Sequence, residues 1–219
     1  MTLSLVCGVI DSSHDQVQLQ AVALTAGLRA EDEKARALFE FVRDAVPYTF
    51  VWRQGAQQTP SEDWFRASAT LARGSGMCIQ KAVLLCALAR AAGLRSRISF
   101  QSLRDYRLPR ELVALMGDVL TPHGLVTIDI HGLPVRLDPS LDRALCDRKG
   151  YRLAEFCSTR DVLLPSVDAA GKPHFEILEE FGEFDVFPTG FVMSVFEAQF
   201  RGLDVDGLHA YIVKTNATM

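Results

Sequence analysis

The stretch from residue 82 to residue 89 constrains the fold more than any other part of the chain. It reads Ala-Val-Leu-Leu-Cys-Ala-Leu-Ala and is apolar at every position. A Gly-Ser-Gly sequence precedes it and Gly93 follows it, so we expect a helix that runs from near Cys78 to about Ala92. A helix that is apolar on every face must be enclosed by other elements. With 219 residues, 48% of them hydrophobic, the chain has enough apolar material to enclose it.

Two further helices are predicted ahead of this buried helix, over Gln16–Leu28 and Glu31–Val46. The second has acidic residues in its first turn and Pro47 directly after its last residue, as is typical of helix ends. Its apolar stripe consists of Ala35, Leu38, Phe39, Val42, Ala45 and Val46. The segment Gln54–Asp63, which follows, is polar and turn-like.

Alternating patterns after the buried helix predict an antiparallel sheet. Leu94–Gln101 alternates between apolar and polar residues, and residues 125–130 alternate in the same way. His131-Gly132 is a two-residue turn that leads into a return strand, Leu133–Leu137. Helices followed by an antiparallel sheet define an α+β fold, which we expect to form one domain over residues 1–219.

Composition excludes several classes of function. The net charge of −4 and the absence of a basic tract argue against a nucleic-acid partner. No apolar run approaches the roughly 20 residues of a membrane-spanning helix, and the N-terminus lacks a basic signal region, so we expect a cytoplasmic protein without a membrane partner. The cysteines form no Cys-x-x-Cys pair, so neither a disulfide framework nor a metal cluster is predicted. They are Cys7, Cys78, Cys86, Cys146 and Cys157.

Cys78 is the candidate nucleophile. It lies two residues after the Gly-Ser-Gly sequence, in the first turn of the buried helix. Unpaired N–H groups and the positive end of the helix dipole stabilise a thiolate at such a position, and they can also stabilise a developing oxyanion. The alternative is that Cys78 is one more packed cysteine, which is the ordinary role of this residue type.

His123 and Asp138 are the candidate partners of Cys78. Counted outward from the centre of the His131-Gly132 turn, they lie at similar distances and with the same parity, so their side chains can meet on one face. A carboxylate in that place orients an imidazole and stabilises its charged form. The alternative interpretation makes His123 a surface or capping residue and Asp138 a turn former before proline.

The remaining histidines are not predicted to act in catalysis. The His-Gly sequence assigns His131 to the turn of the hairpin. For His14, His174 and His209 we find no acidic partner at an informative spacing.

Three segments, taken in order, resemble the transglutaminase-like superfamily of papain-like thiol enzymes. Residues 37–48 are similar to the family's lead helix and its following Tyr. Residues 71–97, with Gly76-Met77-Cys78 at a helix start, resemble its nucleophile block. Residues 123–126 (His-Gly-Leu-Val) and 136–142 (Arg-Leu-Asp-Pro-Ser-Leu-Asp) resemble its His strand and its Asp-Pro-Thr end. The resemblance spans residues 34–142, and it is to a bacterial-type stand-alone member of the family.

The resemblance implies a papain-like core over residues 34–142, with residues 143–219 as an unmatched extension packed on it. It also implies a catalytic triad of Cys78, His123 and Asp138 that works through a thioester, without a metal or organic cofactor. Met77 stands where the family commonly has Asp, and Leu125 where it commonly has an aromatic residue. Both departures change the walls of the cleft, so substrate preference is not carried over.

Three functions remain open, two of which use this chemistry. We expect amide-bond formation on a small, peptide or carrier-protein-bound acyl substrate, by an acyltransferase or amide synthase. The alternative within the same chemistry is a peptidase or amidase. The alternative from another class is a non-catalytic binding module that uses the old cleft. Candidates for a second oxyanion donor are Tyr48, Trp52 and Gln80, and the oligomeric state is not predicted.

The C-terminal third is rich in phenylalanine and acidic residues. Eight of the 13 Phe residues lie after residue 142. We expect them to pack against the far side of the sheet, since aromatic residues usually belong to a core. The other interpretation is an apolar acyl pocket, with Arg104, Arg107 and Arg110 guiding an anionic donor to its mouth.

Overall fold

The structure is a computed structural model, and it describes residues 8–49, 61–200 and 207. The helices are α1 (Asp15–Leu24), α2 (Glu31–Glu40), α3 (Glu62–Phe65), α4 (Ala67–Arg73), α5 (Cys78–Ala91), α6 (Arg110–Met116), α7 (Arg143–Lys149) and α8 (Thr189–Phe200). The strands are β1 (Ser96–Asp105), β2 (Val119–Ile130), β3 (Leu133–Leu137) and β4 (Phe175–Phe184). This is the predicted α+β arrangement.

The predicted buried helix is α5. Every residue from Cys78 to Ala89 is buried, because three helices (α1, α2 and α4) and two strands (β1 and β2) pack against α5. The helix ends where Gly93 adopts a left-handed φ of 82°, as the sequence indicates. No helix within the described residues is long and apolar enough to cross a membrane.

The four strands form one antiparallel sheet in the order β3-β2-β1-β4. The hairpin of β2 and β3 is confirmed, with Val126 opposite Leu137 and Ile130 opposite Leu133. Its turn residue His131 has a φ of 51°. β2 begins at Val119, four residues before His123 and six before the predicted alternation at residue 125. The strand begins earlier because Val119 and Leu120 pair with β1 across an irregularity in the ladder.

The two N-terminal helices differ from the prediction at their ends. α1 stops at Leu24 rather than at Leu28, because Thr25 leaves helical geometry and Gly27 adopts a φ of 79°. α2 gives way at Phe41–Ala45 to a π-helical turn. A π turn holds one more residue than an α turn and therefore rotates the apolar stripe, so that Ala45 is exposed.

The predicted polar turn over Gln54–Asp63 lies largely outside the described residues. Its last part is helical, since Asp63 belongs to α3. Phe65 of this short helix is fully buried, and burial of its ring explains why the polar segment ends in helix.

The C-terminal phenylalanines pack against the sheet and α3. The ring of Phe100 on β1 lies 6.0 Å from the rings of Phe184 and Phe187 and 5.9 Å from that of Phe191. Phe187 also lies 5.6 Å from Phe65. The C-terminal segment thus covers one side of the same core that holds α5.

Candidate active site

Cys78 is held at the start of α5 by the segment before the helix. Gly76 pairs with Tyr48, and its N–H donates to the carbonyl of Pro47 (3.2 Å). The N–H of Met77 donates to Oε1 of Gln80 (3.0 Å), whose Nε2 donates to the carbonyl of Trp64 (2.9 Å). Cys78 is buried, with 7% of its surface exposed.

Both ends of the Gln80 amide are therefore engaged within the protein. Gln80 acts as a structural cap of α5, with its amide oxygen and one of its two amide N–H groups used in these bonds. Of the other two predicted candidates, Trp52 lies outside the described residues and Tyr48 stays available.

Gly124 brings strand β2 directly against the first turn of α5. A Cβ atom at position 124 would lie 2.9 Å from the Cα of Ile79, a distance that real Cβ contacts do not reach. Only glycine allows this approach. As a result His123, the preceding residue, lies beside the start of the helix that carries Cys78.

His123 and Asp138 meet as the strand count predicts. Nε2 of His123 lies 2.6 Å from Oδ2 of Asp138, and the two residues are 3% and 1% exposed. The other oxygen of the carboxylate accepts the N–H of Ser140 (3.0 Å), and the N–H of Asp138 donates to the carbonyl of Val162 (2.9 Å). These bonds fix the carboxylate in position.

The electrostatics favour the charged form of both partners. Burial opposes a charge on His123, but the charges of Asp138 and Cys78 and hydrogen bonds to both raise its pKa to about 10. Burial likewise opposes a charge on Asp138, yet the pKa of this carboxyl is lowered by His123 and Ser140. His123 is thus an imidazolium at neutral pH, with Nε2 turned to Asp138 and Nδ1 left for Cys78.

Tyr48 is the uncharged hydroxyl of the site. Burial of its phenol group, followed by the charges of Cys78, Asp105 and Asp138, raises the pKa of Tyr48 well above its ordinary value. Its backbone is fixed because its N–H donates to Oδ2 of Asp142 (2.9 Å). The hydroxyl therefore stays protonated and can donate a hydrogen bond.

Comparison with known proteins identifies the family. The sequence profile described as "Transglutaminase-like superfamily" matches residues 19–127, which is about half of the chain. The chain belongs to the transglutaminase-like superfamily. The matched residues include Cys78 and His123 and end before Asp138. No curated protein matches the sequence.

Two solved structures are similar to this transglutaminase-like protein. A proposed cysteine protease from Cytophaga hutchinsonii has 18% sequence identity and a TM-score of 0.44, over 80% of this chain and 50% of the other. A proposed protease from Parabacteroides distasonis ATCC 8503 has 16% identity and a TM-score of 0.42, over 61% of this chain and 25% of the other. The chain thus spans half or less of the length of these two proteins.

Lys81 is a buried residue near the site that the sequence analysis missed. It is fully buried one turn after Cys78, and its Nζ donates to the carbonyl of Arg43 (3.0 Å), which lies in the π-helical turn. Burial lowers the pKa of its amine to about 7, against the opposing charges of Asp142, Asp138 and Asp44. The only signal in the sequence is a lysine next to an otherwise apolar run.

Arg43 makes the second buried cation of this region. Its guanidinium donates to the carbonyl of Ala154 (2.8 Å) and forms a two-bond pair with Asp44. Asp44 also accepts the N–H of Arg143 (3.1 Å). The π-helical turn is therefore tied to the chain segment that follows Asp138.

The other described histidines have contacts away from the candidate dyad of His123 and Asp138. His14 caps α1, and His131 contacts Asp32 (3.0 Å) at the hairpin turn. For His174 no acidic partner is predicted from the spacing, but Nε2 of this fully buried residue lies 3.7 Å from Oδ1 of Asp105. The pairing of β4 with the end of β1 brings His174 close to Asp105. Spacing along the chain does not show this proximity. His209 lies outside the described residues.

The predicted guiding arginines are mostly paired. Arg104 lies 3.2 Å from Asp118 and 3.4 Å from Glu176, and Arg107 pairs with the buried Asp168. These carboxylates offset most of the charge on the segment. Within the described residues, no group of three or more His, Cys, Asp or Glu side chains is arranged to hold a metal ion.

Proposed function

We propose that this transglutaminase-like protein is a thiol enzyme that transfers acyl groups through a thioester on Cys78. The observation that carries the proposal is the buried contact of 2.6 Å between His123 and Asp138, which lies beside the first turn of the buried helix that holds Cys78. A cysteine, a histidine and an orienting carboxylate in this order of contact are the components of nucleophilic thiol catalysis.

Each residue has a defined part in the proposed reaction. The sulfur of Cys78 attacks the acyl carbon and forms the C–S bond, while the bond to the leaving group breaks and the leaving group takes a proton from His123. An incoming amine then attacks the thioester, the C–S bond breaks, and His123 recovers a proton from the amine. Asp138 keeps the imidazole oriented throughout both steps.

Two donors are suited to stabilise the oxyanion formed in each step. The N–H of Cys78 lies in the first turn of α5, where a helix supplies no internal acceptor. The protonated hydroxyl of Tyr48 is the second proposed donor, since burial and then the charge of Cys78 raise its pKa. Loss of one such donor typically lowers turnover by about 10²- to 10³-fold.

The proposed outcome is amide-bond formation on a small, peptide or carrier-bound acyl substrate. Hydrolysis is the outcome of the same first step when water replaces the amine, and it would make the protein a peptidase or amidase. Burying an imidazolium costs free energy. A binding module that uses the cleft without catalysis has no need of a buried, hydrogen-bonded imidazolium next to a cysteine, so this arrangement favours the enzyme.

The test begins with the acylation of Cys78 by p-nitrophenyl acetate at neutral pH, followed by intact-mass analysis and peptide mapping. Because Cys157 is only partly buried and hydrogen bonds of Thr159 lower the pKa of its thiol, the experiment uses the Cys157→Ser background. We expect acetylation of Cys78, its absence in Cys78→Ala, and a rate about 10²- to 10⁴-fold lower in His123→Ala.

Iodoacetamide gives the matched control, since alkylation forms no oxyanion. Tyr48→Phe is expected to slow acylation while leaving alkylation of Cys78 unchanged. Partition of the acetyl group between glycinamide and water then separates transfer from hydrolysis. Slow, equal labelling of all cysteines in the folded protein, without a thioester at Cys78, would reject the enzyme in favour of the binding module.

A further inference from the structure

A row of polar side chains extends from the candidate dyad across the sheet. Gln101 on β1 is the direct partner of His123 on β2 and of Glu180 on β4. Directly opposed residues of antiparallel strands share a face, with Cβ atoms about 5 Å apart. Since Asp138 contacts His123 on its other side, the order across the sheet is Asp138, His123, Gln101 and Glu180.

Gln101 in this row has an unused hydrogen-bonding atom. The residue is 1% exposed, and its Oε1 has no hydrogen-bond partner. Gln80, the other buried glutamine near the site, has partners for both ends of its amide. A buried amide oxygen without a partner costs stability, so the position of Gln101 is not explained by the stability of the fold.

A small cavity of about 80 Å³ opens next to Gln101. Its lining includes one leucine, Leu125. The polar and charged residues in the lining are Ser99, Gln101, Arg136, Glu180 and Glu183. Leu125 lies two residues after His123 on the same strand and so shares its face. The cavity therefore opens on the face of the sheet that carries His123, although His123 itself is not part of its lining.

The charged groups of the cavity are already paired. Arg136 lies 2.5 Å from Glu180 and 2.7 Å from Asp161, and Glu183 lies 2.6 Å from Arg97. Counted together with these partners, the three carboxylates exceed the two guanidinium groups by one negative charge, which disfavours an anionic guest. An acceptor oxygen in such surroundings is suited to an N–H donor.

We propose that Gln101 and this cavity form the binding subsite for the amine portion of the substrate, with Oε1 of Gln101 accepting an N–H of the amine that leaves or enters beside His123. The inference rests on the proposed function, because an amine exchanges a proton with His123 only if it lies next to the imidazole. The expected ligand of this subsite is a primary amine, or the amine of an amino-acid amide, whose reacting end is small enough for the cavity.

The experiment loads Cys78 with an acetyl group from p-nitrophenyl acetate and follows its loss at increasing concentrations of glycinamide. In Gln101→Met we expect the acylation rate to stay as in wild type. The glycinamide concentration for half-maximal deacylation should rise about five- to tenfold, the loss of one hydrogen bond. The melting temperature should equal or exceed that of wild type, because the variant removes an unpaired buried oxygen.

Gln18→Met is the matched control on α1, far along the chain from the site. Nε2 of Gln18 donates to the carbonyl of Ser12 (2.6 Å), so this variant should lose some stability and keep the amine dependence of wild type. If Gln101→Met keeps the wild-type amine dependence, slows acylation as much as deacylation, or melts below Gln18→Met, the inference is wrong. If wild-type Cys78 takes no acetyl group, the proposed function fails and the inference with it.

Discussion

Lys81 lies one turn after Cys78, and burial lowers the pKa of its amine from 10.5 to about 7. In the unfolded chain the amine regains its ordinary pKa, so between pH 7 and about 10 the unfolded state binds more protons than the folded state. The free energy of unfolding therefore gains a contribution that rises with pH over this range. Below pH 7 the penalty of burying the ammonium is fully present.

His123 contributes with the opposite sign. Its pKa is raised from 6.5 to about 10, so its stabilisation is complete below pH 6.5 and is lost as the pH rises through 10. Because His123 is present in both wild type and Lys81→Met, its contribution cancels when the two proteins are compared. The comparison isolates the buried amine.

We predict that wild type gains stability relative to Lys81→Met as the pH rises from 7 to 10, measured by urea unfolding at intervals of one pH unit. The lost hydrogen bond to the carbonyl of Arg43 affects the variant equally at every pH. A stability difference between the two proteins that stays constant or falls over this range would contradict the placement of Lys81.

Some residues of the site region could be predicted from the sequence, and others could not. The position of Cys78 at a helix start and the contact of His123 with Asp138 could be predicted, because helix starts and strand parity are local patterns. Lys81 and Gln101 were missed, since their significance depends on what surrounds them in three dimensions: a carbonyl freed by a π-helical turn, and an amide oxygen without a partner. Spacing along the chain reports neither.

At the scale of elements, the contact between α5 and β2 positions the site, and Gly124 makes that contact possible. We predict that Gly124→Ala pushes the helix away from the strand, because the new Cβ would lie 2.9 Å from the backbone of Ile79. The expected cost is about 1–3 kcal/mol of stability, together with a loss of Cys78 acylation that exceeds the loss of folded protein.

Gly190→Ala is the matched control for this prediction. Gly190 lies in α8, and a Cβ there meets no atom within 4 Å, so this variant should be at least as stable as wild type. Thermal melts and the acylation rate at 20 °C compare the two. Full acylation by a stable Gly124→Ala protein would show that the site tolerates a shift of α5.

The elements predicted best are those with a strict period. The run of apolar residues identified α5 to within a residue of its ends, and the alternating pattern with the His-Gly turn identified the β2–β3 hairpin. The π-helical turn at Phe41–Ala45 was not predicted, because an α-helical period fits its apolar residues nearly as well. Strand β4 was not predicted either: most of it is exposed on both faces, so it lacks the alternation that marks a half-buried strand.

At the scale of the whole molecule, three aromatic rings join its parts. The ring of Phe187, between β4 and α8, lies 5.6 Å from the ring of Phe65 in α3 and 6.0 Å from that of Phe100 in β1. They connect a segment before the nucleophile, the sheet and the C-terminal third. This contact is the structural basis for expecting that residues 143–200 unfold together with the family-matched core.

We predict that Phe187→Ala lowers the free energy of unfolding by about 3–5 kcal/mol, the usual cost of removing a buried phenylalanine ring. For a domain of this size the melting temperature should fall by roughly 6–20 °C. Val186→Ala, next to it and 77% exposed, should melt as wild type does. In all three proteins the transition followed by far-ultraviolet circular dichroism should coincide with that followed by tryptophan fluorescence, because one domain unfolds as one unit. Two separate transitions in wild type, with Phe187→Ala shifting only one of them, would show instead that the C-terminal third folds independently of the core that holds Cys78.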